Sequence, residues 1–526
     1  MKLLNFLCVA LISLFKCEAY RILVVYPFPA KSHNILGNGV VKHLLKAGHE
    51  VTYITPFPIE SHDSNLRQVD VSAVTNLLKG MEDALNIRSY LSKGAEINDE
   101  TYLFSVIFNV AAAAVKTENV QKFLNDPTQR FDVVVNEWMF NDLYAGFAAV
   151  FNCPYIWTYP YEPYIHVLSL IDEVPNPAYT SNLMSSNVPP FNFAQRAEEL
   201  FSQIKSSILR TYYQIPLEKA VYEETFGPVL KKQGRILPTY DELRHNVSMI
   251  LGNSHVSFGL STRLPESYKS IAGYYIDENV ETLPEDLQKL MDDAKDGVIY
   301  FSLGSNLKSK DFPESIKKDL IKVFAELKEV VLWKFEEQYE DLPKNLHVTK
   351  WAPQQSILAH PNCKTFITHG GLLSTTEAAH FGVPTIGIPV FVDQFNNVDR
   401  AVHRGYALRV DLSYSLANDL RKAIKEITTD YKYTTRAREI SSIYHDRLVS
   451  PATELVHWVE YVVRTRGARH LRSPALQLPW YQKLYLDLAA VLIVLFLFVF
   501  STLTLSVRIY LNKYKSNLPK KNKKAS

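Results

Sequence analysis

Short apolar runs alternate with helix-like stretches from the start of the chain. Residues 21–26 form a nearly continuous apolar run, a polar loop follows through residues 31–33, and a helix-like stretch at residues 40–46 precedes a second run at residues 51–55. A continuous apolar run is typical of a strand buried on both faces. Strand, helix and strand in this order predict a βαβ unit with a parallel sheet and a right-handed crossover.

The same alternation returns in the second half of the chain, after a helical, aromatic and irregular region at about residues 60–250. The periodicity fades near residues 260–277, where we expect a linker. Two α/β series predict two Rossmann-like domains, with a ligand cleft that faces the carboxyl ends of both sheets. Further strands are predicted at residues 131–135, 155–158, 298–302, 330–334, 364–368, 384–388 and 407–410, with a helix at residues 313–327.

Both ends of the chain have the composition of membrane-targeting segments. Residues 1–19 combine Lys2, an apolar run and the small residues Cys17 and Ala19, a pattern that predicts a cleaved secretory signal peptide. Residues 488–507 contain no charged residue and would span about 30 Å as a helix, which is one hydrocarbon core. A cleaved signal and one late apolar helix predict a type I membrane protein with its bulk in the lumen.

The tail that follows the apolar helix is basic and ends in KKAS, which resembles the dilysine signal for retrieval to the endoplasmic reticulum. A merely solvated positive-inside tail is the alternative. These patterns predict the following division: a signal peptide at 1–19, an N-terminal α/β domain at 20–265, a linker at 266–278, a C-terminal α/β domain with return helices at 279–484, a transmembrane helix at 485–509 and a cytosolic tail at 510–526.

Composition excludes several classes of protein. A chain of 526 residues with 47% hydrophobic and 21% charged residues is globular rather than disordered. Its formal net charge of +2, without a basic patch interleaved with aromatics, argues against binding of nucleic acid. Only Cys153 and Cys363 follow the signal peptide, so we expect free thiols rather than a disulfide framework. The sequon at Asn246 is consistent with a lumenal face.

A His-Gly-Gly turn between a strand and a helix is the first candidate binding feature. The glycines Gly370 and Gly371 let backbone N–H groups approach an anion, and the start of the helix adds the positive end of its dipole. Ser374 and Glu377 form an S-x-x-E pattern, which is equally typical of a capping box. Both roles can coexist, because a capped helix start is a suitable place for a pyrophosphate.

Other polar residues near this turn suit a nucleotide and a sugar. Trp351 is a candidate to stack on a uracil ring, although an isolated Trp is more often part of a core. Gln354 would then reach the base or the ribose. Asp393 and Gln394 suit sugar hydroxyls, although Asp393 is also a candidate helix cap. A second group of small residues that would let a phosphate approach the backbone follows the strand at residues 298–302. It consists of Ser302, Gly304 and Ser305.

The 44-residue stretch WAPQQSILAHPNCKTFITHGGLLSTTEAAHFGVPTIGIPVFVDQ resembles the signature of the UDP-glycosyltransferases, in particular the membrane-bound animal UDP-glucuronosyl- and glucosyltransferases. The resemblance extends from the signal peptide, through SHN and GHEVT, to the C-terminal helix and tail, and HGGLLST is shared with insect members. It implies a GT-B fold of two Rossmann-like domains and an inverting mechanism. It also implies no metal and no cofactor beyond the UDP-sugar co-substrate, with a homodimer as a possible assembly.

The resemblance assigns a ligand to each part of the donor. His369, Gly371 and Ser374 match the diphosphate ligands, Trp351 and Gln354 the uridine ligands, Glu377 the ribose ligand, and Asp393 and Gln394 the sugar ligands. Leu373 stands where vertebrate members and many plant relatives have Asn, so one polar contact to the donor is lost.

The resemblance also implies a catalytic base, which His33 matches. A hydroxyl that attacks an anomeric carbon must lose its proton, and His suits that task when a carboxylate orients it. The family has an Asp after the strand at residues 131–135, and the residue aligned with it here is Glu137, with Asp142 as the alternative. The chain has 15 histidines, and a histidine in a loop is normally just exposed to solvent. The position of His33 directly after the first strand is what makes it a candidate base.

We therefore expect transfer of a hexose, with glucose favoured, from a UDP-sugar to a hydroxyl of a small lipophilic acceptor. UDP-glucuronate is the alternative donor and would need a cation such as Arg263. A type I receptor that binds a ligand between two lobes is an alternative of another class. A nicotinamide-dependent oxidoreductase is disfavoured, because Gly37-Asn38-Gly39 is followed by Lys42 where a dinucleotide fingerprint needs its third glycine.

Overall fold

The computed structural model describes residues 19–78, 86–93, 100–305, 307–337, 339 and 341–517. The predicted signal peptide, apart from Ala19, and the KKAS tail lie outside the described residues. The described residues up to Arg472 form one compact unit, and a second unit begins at Ser473.

Two parallel sheets organise the first unit. The N-terminal sheet has seven strands in the order β3-β2-β1-β4-β5-β6-β7, and the second has six in the order β10-β9-β8-β11-β12-β13. Each contains the 3-2-1-4-5-6 order of a Rossmann fold, which confirms the prediction of two such domains. The strands are β1 Arg21–Val25, β2 Glu50–Thr55, β3 Leu66–Asp70, β4 Val133–Glu137, β5 Tyr155–Tyr159, β6 Met249–Gly252, β7 Tyr268–Ser270, β8 Val298–Ser302, β9 Val330–Lys334, β10 Leu346–Thr349, β11 Cys363–Thr368, β12 Thr385–Gly387 and β13 Ala407–Arg409.

Helices cover both sheets and extend the chain beyond them. They are α1 Lys31–Lys46, α2 Ile87–Lys93, α3 Glu100–Lys116, α4 Glu118–Asn125, α5 Ala145–Phe151, α6 Ile165–Leu168, α7 Phe193–Leu209, α8 Ile215–Lys232, α9 Tyr240–Arg244, α10 Glu285–Asp293, α11 Glu314–Ala325, α12 Gln354–Ala359, α13 Leu372–Phe381, α14 Gln394–His403, α15 Leu416–Thr429, α16 Tyr431–His445, α17 Pro451–Arg464, α18 Trp480–Lys483 and α19 Leu486–Asn517.

Strand β1 is buried on both faces, as its apolar run predicts. Leu23 and Val25 join the hydrophobic cluster on one face of the N-terminal sheet, and Ile22 and Val24 join the cluster on the other. Helix α17 follows the second domain in the chain, yet its apolar residues belong to that second cluster. The chain therefore returns to the N-terminal domain, which ties the two Rossmann-like domains together.

Two local predictions differ from the structure. The loop predicted at residues 31–33 is the first turn of α1, because a mostly polar first turn lacks the apolar periodicity that signals a helix. Part of the linker predicted at residues 266–278 forms β7, which pairs with β6 at the edge of the sheet. A three-residue edge strand is too short to show an alternating pattern.

Glycines Gly37 and Gly39 lie inside α1 rather than at a phosphate-binding turn. A Cβ atom at Gly37 would lie 2.3 Å from the hydroxyl of Tyr53, and one at Gly39 would lie 3.1 Å from Cβ of Tyr275. These glycines therefore permit close packing of α1, which accounts for the Gly-Asn-Gly sequence without a dinucleotide.

Helix α19, in the second unit, has 32 residues and is long and apolar enough to cross a membrane. Among the described residues no other single helix has this property. The consecutive helices α3 and α4 are long and apolar enough to cross a membrane only if they are counted as one segment, and a bend of 53° separates them. Their apolar residues, however, belong to the core of the N-terminal domain.

Candidate active site

A cleft of about 440 Å³ lies between the two sheets, at the carboxyl ends of their central strands. The N-terminal domain lines it with the start of α1 and the segment after β5, and the C-terminal domain with the residues after β8, β10, β11 and β12. Among the sequence-predicted residues it brings together His33, Ser302, Gly304, Ser305, Trp351, Gln354, His369, Gly371, Ser374, Glu377, Asp393 and Gln394.

His33 and Glu137 form a hydrogen-bonded pair at the N-terminal wall of the cleft. His33 lies in the first turn of α1 and Glu137 ends β4, and Nδ1 of His33 is hydrogen-bonded to Oε1 of Glu137. Both side chains are buried. Since a carboxylate can only accept, Nδ1 carries the proton and Nε2 is the basic nitrogen. Phe28 packs edge-on against the imidazole at 4.8 Å, and Tyr161 lies at 6.2 Å.

Asp142 lies in the core of the N-terminal domain rather than beside His33. Its carboxylate accepts from Nε1 of Trp138 at 2.7 Å, from Arg210 at 2.6 Å and from Arg244 at 2.9 Å. Burial alone would raise the pKa of Asp142, but the two guanidinium groups outweigh it and lower the pKa to about 2. Asp142 is therefore bound within a buried ion network.

His369 lies between two glycines on the floor of the cleft. A Cβ atom at Gly304 would lie 2.5 Å from Cε1 of this ring, and one at Gly371 would lie 2.6 Å from Nε2. Gly304 also has φ of +80°, which favours glycine. Burial, together with the charge of Lys334, lowers the pKa of His369 to about 4. The ring is therefore neutral near pH 7.

The S-x-x-E pattern does not form a capping box. Gly371 is the N-cap of α13, so Ser374 and Glu377 lie within the helix and are buried. The amide of Gln354 instead donates to Oγ of Ser374 at 3.2 Å and to the carboxylate of Glu377 at 2.6 Å. Gln355 also donates to Glu377, at 3.3 Å. Burial raises the pKa of Glu377 to about 7, against the effect of these two amides.

Trp351 is 62% exposed and lies at the rim of the cleft, so it is not a core residue. The ammonium of Lys31 lies 5.5 Å from the centroid of its ring. An exposed indole beside the start of α12 presents a flat apolar surface on which a planar base can stack.

Asp393 and Gln394 lie at the start of α14. Asp393 occupies the N-cap position, but its carboxylate does not cap the helix and accepts from Asn397 at 2.6 Å. Burial raises the pKa of Asp393 to about 6. Oε1 of Gln394 accepts from the backbone N–H groups of Val390 at 2.9 Å and Phe391 at 3.1 Å. Gln394 thus fixes the loop that carries Asp393, and its amide nitrogen is the group left to donate.

Three features of the cleft were not predicted from the sequence. Lys334, at the end of β9, lines the cleft, and only its place at a strand end would have indicated this. Tyr161 contributes an aromatic ring from the N-terminal domain. Leu373 packs against a core cluster of the N-terminal domain, and its carbonyl accepts from the hydroxyl of Tyr275 at 2.9 Å, so this position connects the domains.

Other predicted residues lie outside the cleft. Arg263 is exposed and does not line it. Asn246 is exposed on the N-terminal domain. Cys153 and Cys363 are both free thiols. Within the described ranges, no three His, Cys, Asp or Glu side chains are grouped so that they could hold a metal ion.

A family model described as "UDP-glucoronosyl and UDP-glucosyl transferase" matches residues 21–524. The chain belongs to this family. As a UDP-glycosyltransferase it is 32% identical over 477 residues to UDP-glucosyltransferase 2 of Dactylopius coccus, with 90% of each chain covered. It is 27% identical over 486 residues to human UDP-glucuronosyltransferase 2B10, covering 87% of this chain and 88% of that protein.

Solved glycosyltransferases have the same fold as this UDP-glycosyltransferase. The spinosyn forosaminyltransferase SpnP superposes with a TM-score of 0.55 at 16% identity, covering 85% of this chain and all of that one. The calicheamicin glycosyltransferase CalG4 superposes with a TM-score of 0.54 at 16% identity, covering 85% of this chain and 99% of that one. The predicted GT-B fold is thereby confirmed, and the family model and the curated relatives confirm the prediction of a glycosyl-transferring enzyme.

Proposed function

We propose that this UDP-glycosyltransferase moves a hexose, preferably glucose, from its UDP-sugar to a hydroxyl of a small lipophilic acceptor, with inversion at the anomeric carbon. The observation that carries the proposal is the presence in one cleft of His33, which Glu137 holds from behind, and of the donor-side groups His369, Glu377 and Asp393. A base and a set of nucleotide-sugar ligands from facing domains are what a direct displacement needs.

In the proposed reaction the acceptor oxygen bonds to the anomeric carbon as the bond from that carbon to UDP breaks. Nε2 of His33 takes the hydroxyl proton, and Glu137 holds the ring by Nδ1 and stabilises the imidazolium that forms. The second oxygen of Glu137 is buried and has no hydrogen-bond partner among the described residues. Because few other groups solvate the charge of this carboxylate, its electrostatic attraction to the imidazolium is stronger.

We assign the donor ligands by the order of the residues along the cleft. Trp351 stacks on the uracil, Gln354 and Glu377 bind the ribose, and Gly371 with Ser374 binds the diphosphate at the start of α13. The start of a helix favours an anion through its free N–H groups and its dipole. We also assign Ser302, Gly304 and Ser305 to the phosphate edge, where Gly304 lies against His369.

Asp393 and Gln394 are assigned to the hexose hydroxyls. Because Oε1 of Gln394 is held by two backbone N–H groups, its amide nitrogen is oriented to donate to a neutral hydroxyl. The arginine considered for a glucuronate carboxylate, Arg263, is exposed and outside the cleft. These features favour glucose. Turnover that is clearly faster with UDP-glucuronate than with UDP-glucose would overturn this choice.

Aromatic side chains near His33 favour a lipophilic acceptor, and Tyr161 is the one of them that lines the cleft. Phe28 and Tyr161 flank the imidazole, and Phe140 lies 5.9 Å from Tyr161. Phe104 lies 5.3 Å from Phe140, and Phe28, Phe104 and Phe140 belong to the buried core behind Tyr161. Rings of this kind bury apolar surface and favour flat, apolar molecules that carry a hydroxyl.

The central experiment compares wild type with His33→Ala in a UDP-glucose transfer assay on a panel of phenols, steroids and flavonoids. Removal of the base is expected to reduce kcat by about 100- to 10,000-fold. Affinity for UDP should stay within twofold, because His33 belongs to the wall opposite the nucleotide. Activity within a few-fold of wild type in the variant would show that His33 is not the base.

We further propose that the catalytic domains lie in the lumen of the endoplasmic reticulum, anchored by α19. The apolar helix followed by basic residues supports this orientation. Expression of the full chain in insect cells tests it through Asn246, which is exposed. A lumenal domain should give a mobility shift on glycosidase treatment that Asn246→Gln abolishes. Digestion of the catalytic domains by protease in sealed microsomes would instead place them in the cytosol.

A further inference from the structure

The cleft combines many carboxylates with few cations. Glu377, Asp393, Asp277 and Glu281 all line it, so a bound diphosphate would enter a region lined with acidic side chains. The departing UDP gains further negative charge as the glycosidic bond breaks. Charge of this kind is stabilised by preorganised donors and cations in a site that excludes water.

His369 does not supply that positive charge. Its pKa is lowered to about 4, so the ring is neutral at the pH of most cellular compartments and donates at most one neutral hydrogen bond. Lys31 lies over the ring of Trp351, at the proposed nucleobase end. The helix dipole of α13 contributes only partial charges. The proposed phosphate subsite therefore requires another cation.

Lys334 is the one Lys or Arg among the described residues that line this cleft. It ends β9, and its ammonium donates to the carbonyl of Gly304 at 2.6 Å. Gly304 in turn lies against the ring of His369, and the charge of Lys334 lowers the pKa of that histidine. The ammonium is thus close to the glycine edge and to His369, on the side of the cleft assigned to the phosphates.

We infer that Lys334 is a ligand of the donor diphosphate and stabilises the departing UDP, an inference that rests on the proposed function. The ammonium has three protons, of which one reaches Gly304 and one reaches Glu336 at 3.3 Å. The carbonyl of Gly304 orients the group, and Glu336 holds it in place when no donor is bound. A phosphate oxygen is a stronger partner for the ammonium than a neutral carbonyl.

A purely structural role for Lys334 is the competing explanation, since a buried lysine that is paired with a glutamate also stabilises the local fold. The chain provides a matched control for this. Lys317 on α11 is similarly buried and pairs with Glu314 at 2.8 Å, but it does not line the cleft. Loss of the charge at Lys317 therefore reports the general effect of neutralising a buried lysine.

The test uses the full-length protein in detergent micelles, with the variants Lys334→Gln, Lys334→Arg and Lys317→Gln. Calorimetric titrations with UDP and with uridine separate the phosphate contribution from the nucleoside contribution. We expect Lys334→Gln to weaken UDP by about 10- to 100-fold, as loss of a charge-assisted hydrogen bond does, and to leave uridine within twofold. Lys334→Arg should restore most of the UDP affinity, and Lys317→Gln should change neither ligand.

Three outcomes would overturn the inference. Equal weakening of UDP and uridine by Lys334→Gln would indicate a structural role, as would an equal loss in Lys317→Gln. Unchanged UDP affinity combined with a loss specific to UDP-glucuronate would make Lys334 a ligand of the sugar carboxylate instead. If the wild type did not bind UDP at all, the proposed function itself would be refuted. This result is distinct from the other outcomes, because it is seen in the unsubstituted protein.

Discussion

His33 and Asp393 line the same cleft from different domains, His33 in the first turn of α1 and Asp393 at the start of α14. Burial raises the pKa of the Asp393 carboxyl to about 6. The proposed base and the proposed sugar ligand therefore face the same space from opposite domains. An acceptor hydroxyl at His33 and a hexose at Asp393 would be adjacent, which is the arrangement that direct transfer requires.

Substitution Glu137→Gln is expected to lower kcat by about 100- to 10,000-fold, because an amide does not stabilise the imidazolium and no longer selects the tautomer with Nδ1–H. Initial rates with UDP-glucose measure this, and a UDP titration serves as the control, since UDP affinity should not change. Glu137→Asp should retain more activity than Glu137→Gln. Equal rates in Glu137→Gln and wild type would remove Glu137 from the mechanism.

Substitution Asp142→Asn is expected to act on stability rather than on chemistry. Arg210 and Arg244 would lose the carboxylate that they share, and breaking a buried ion pair in this way costs about 3–5 kcal/mol. Urea unfolding measures the loss. The pKa of Asp142 is depressed to about 2, so its contribution is present above about pH 4 and is lost as the pH falls toward 2. A folded but inactive variant of normal stability would contradict this assignment.

Substitution Trp351→Ala is expected to weaken UDP by about 1–3 kcal/mol, the usual contribution of stacking between an aromatic side chain and a base. Since the indole is 62% exposed, the melting temperature should hardly change. Calorimetry and thermal unfolding together distinguish this from a core role. A large drop in melting temperature with normal UDP affinity would favour the core interpretation.

Glu377 makes the stability of the ligand-free protein depend on pH. Its pKa in the folded state, about 7, lies above the ordinary value for Glu, about 4.3, so the folded state binds more protons than the unfolded state between these values. Its contribution to stability is therefore full below about pH 4 and is lost as the pH rises to 7. Thermal unfolding from pH 5 to 7.5 should show a shallower decline in Glu377→Gln. Parallel curves would show that Glu377 does not titrate in this range.

Sequence patterns were sufficient for nine of the thirteen strands that the structure describes in the two sheets and for the positions of many cleft residues, whereas β3, β6, β7 and β10 were not predicted. Buried parallel strands consist of nearly continuous apolar runs, as at β1 and β8, and ligands follow the carboxyl ends of such strands. The patterns were insufficient at the first turn of α1, which holds His33, and at the three-residue β7. In both places the element is stabilised by packing against distant residues rather than by its own periodicity.

By itself the sequence determined two α/β series of parallel strands, and that a His-Gly-Gly turn, a Trp and an Asp-Gln pair follow strands of the second series. Only the tertiary structure decided which carboxylate meets His33, that Ser374 and Glu377 bind Gln354 rather than cap a helix, and that Lys334 lines the cleft. Local order along the chain follows from backbone geometry and apolar periodicity, which neighbouring residues encode. Contacts between side chains far apart in sequence depend on how the two sheets and their helices pack, and no short stretch of sequence contains that information.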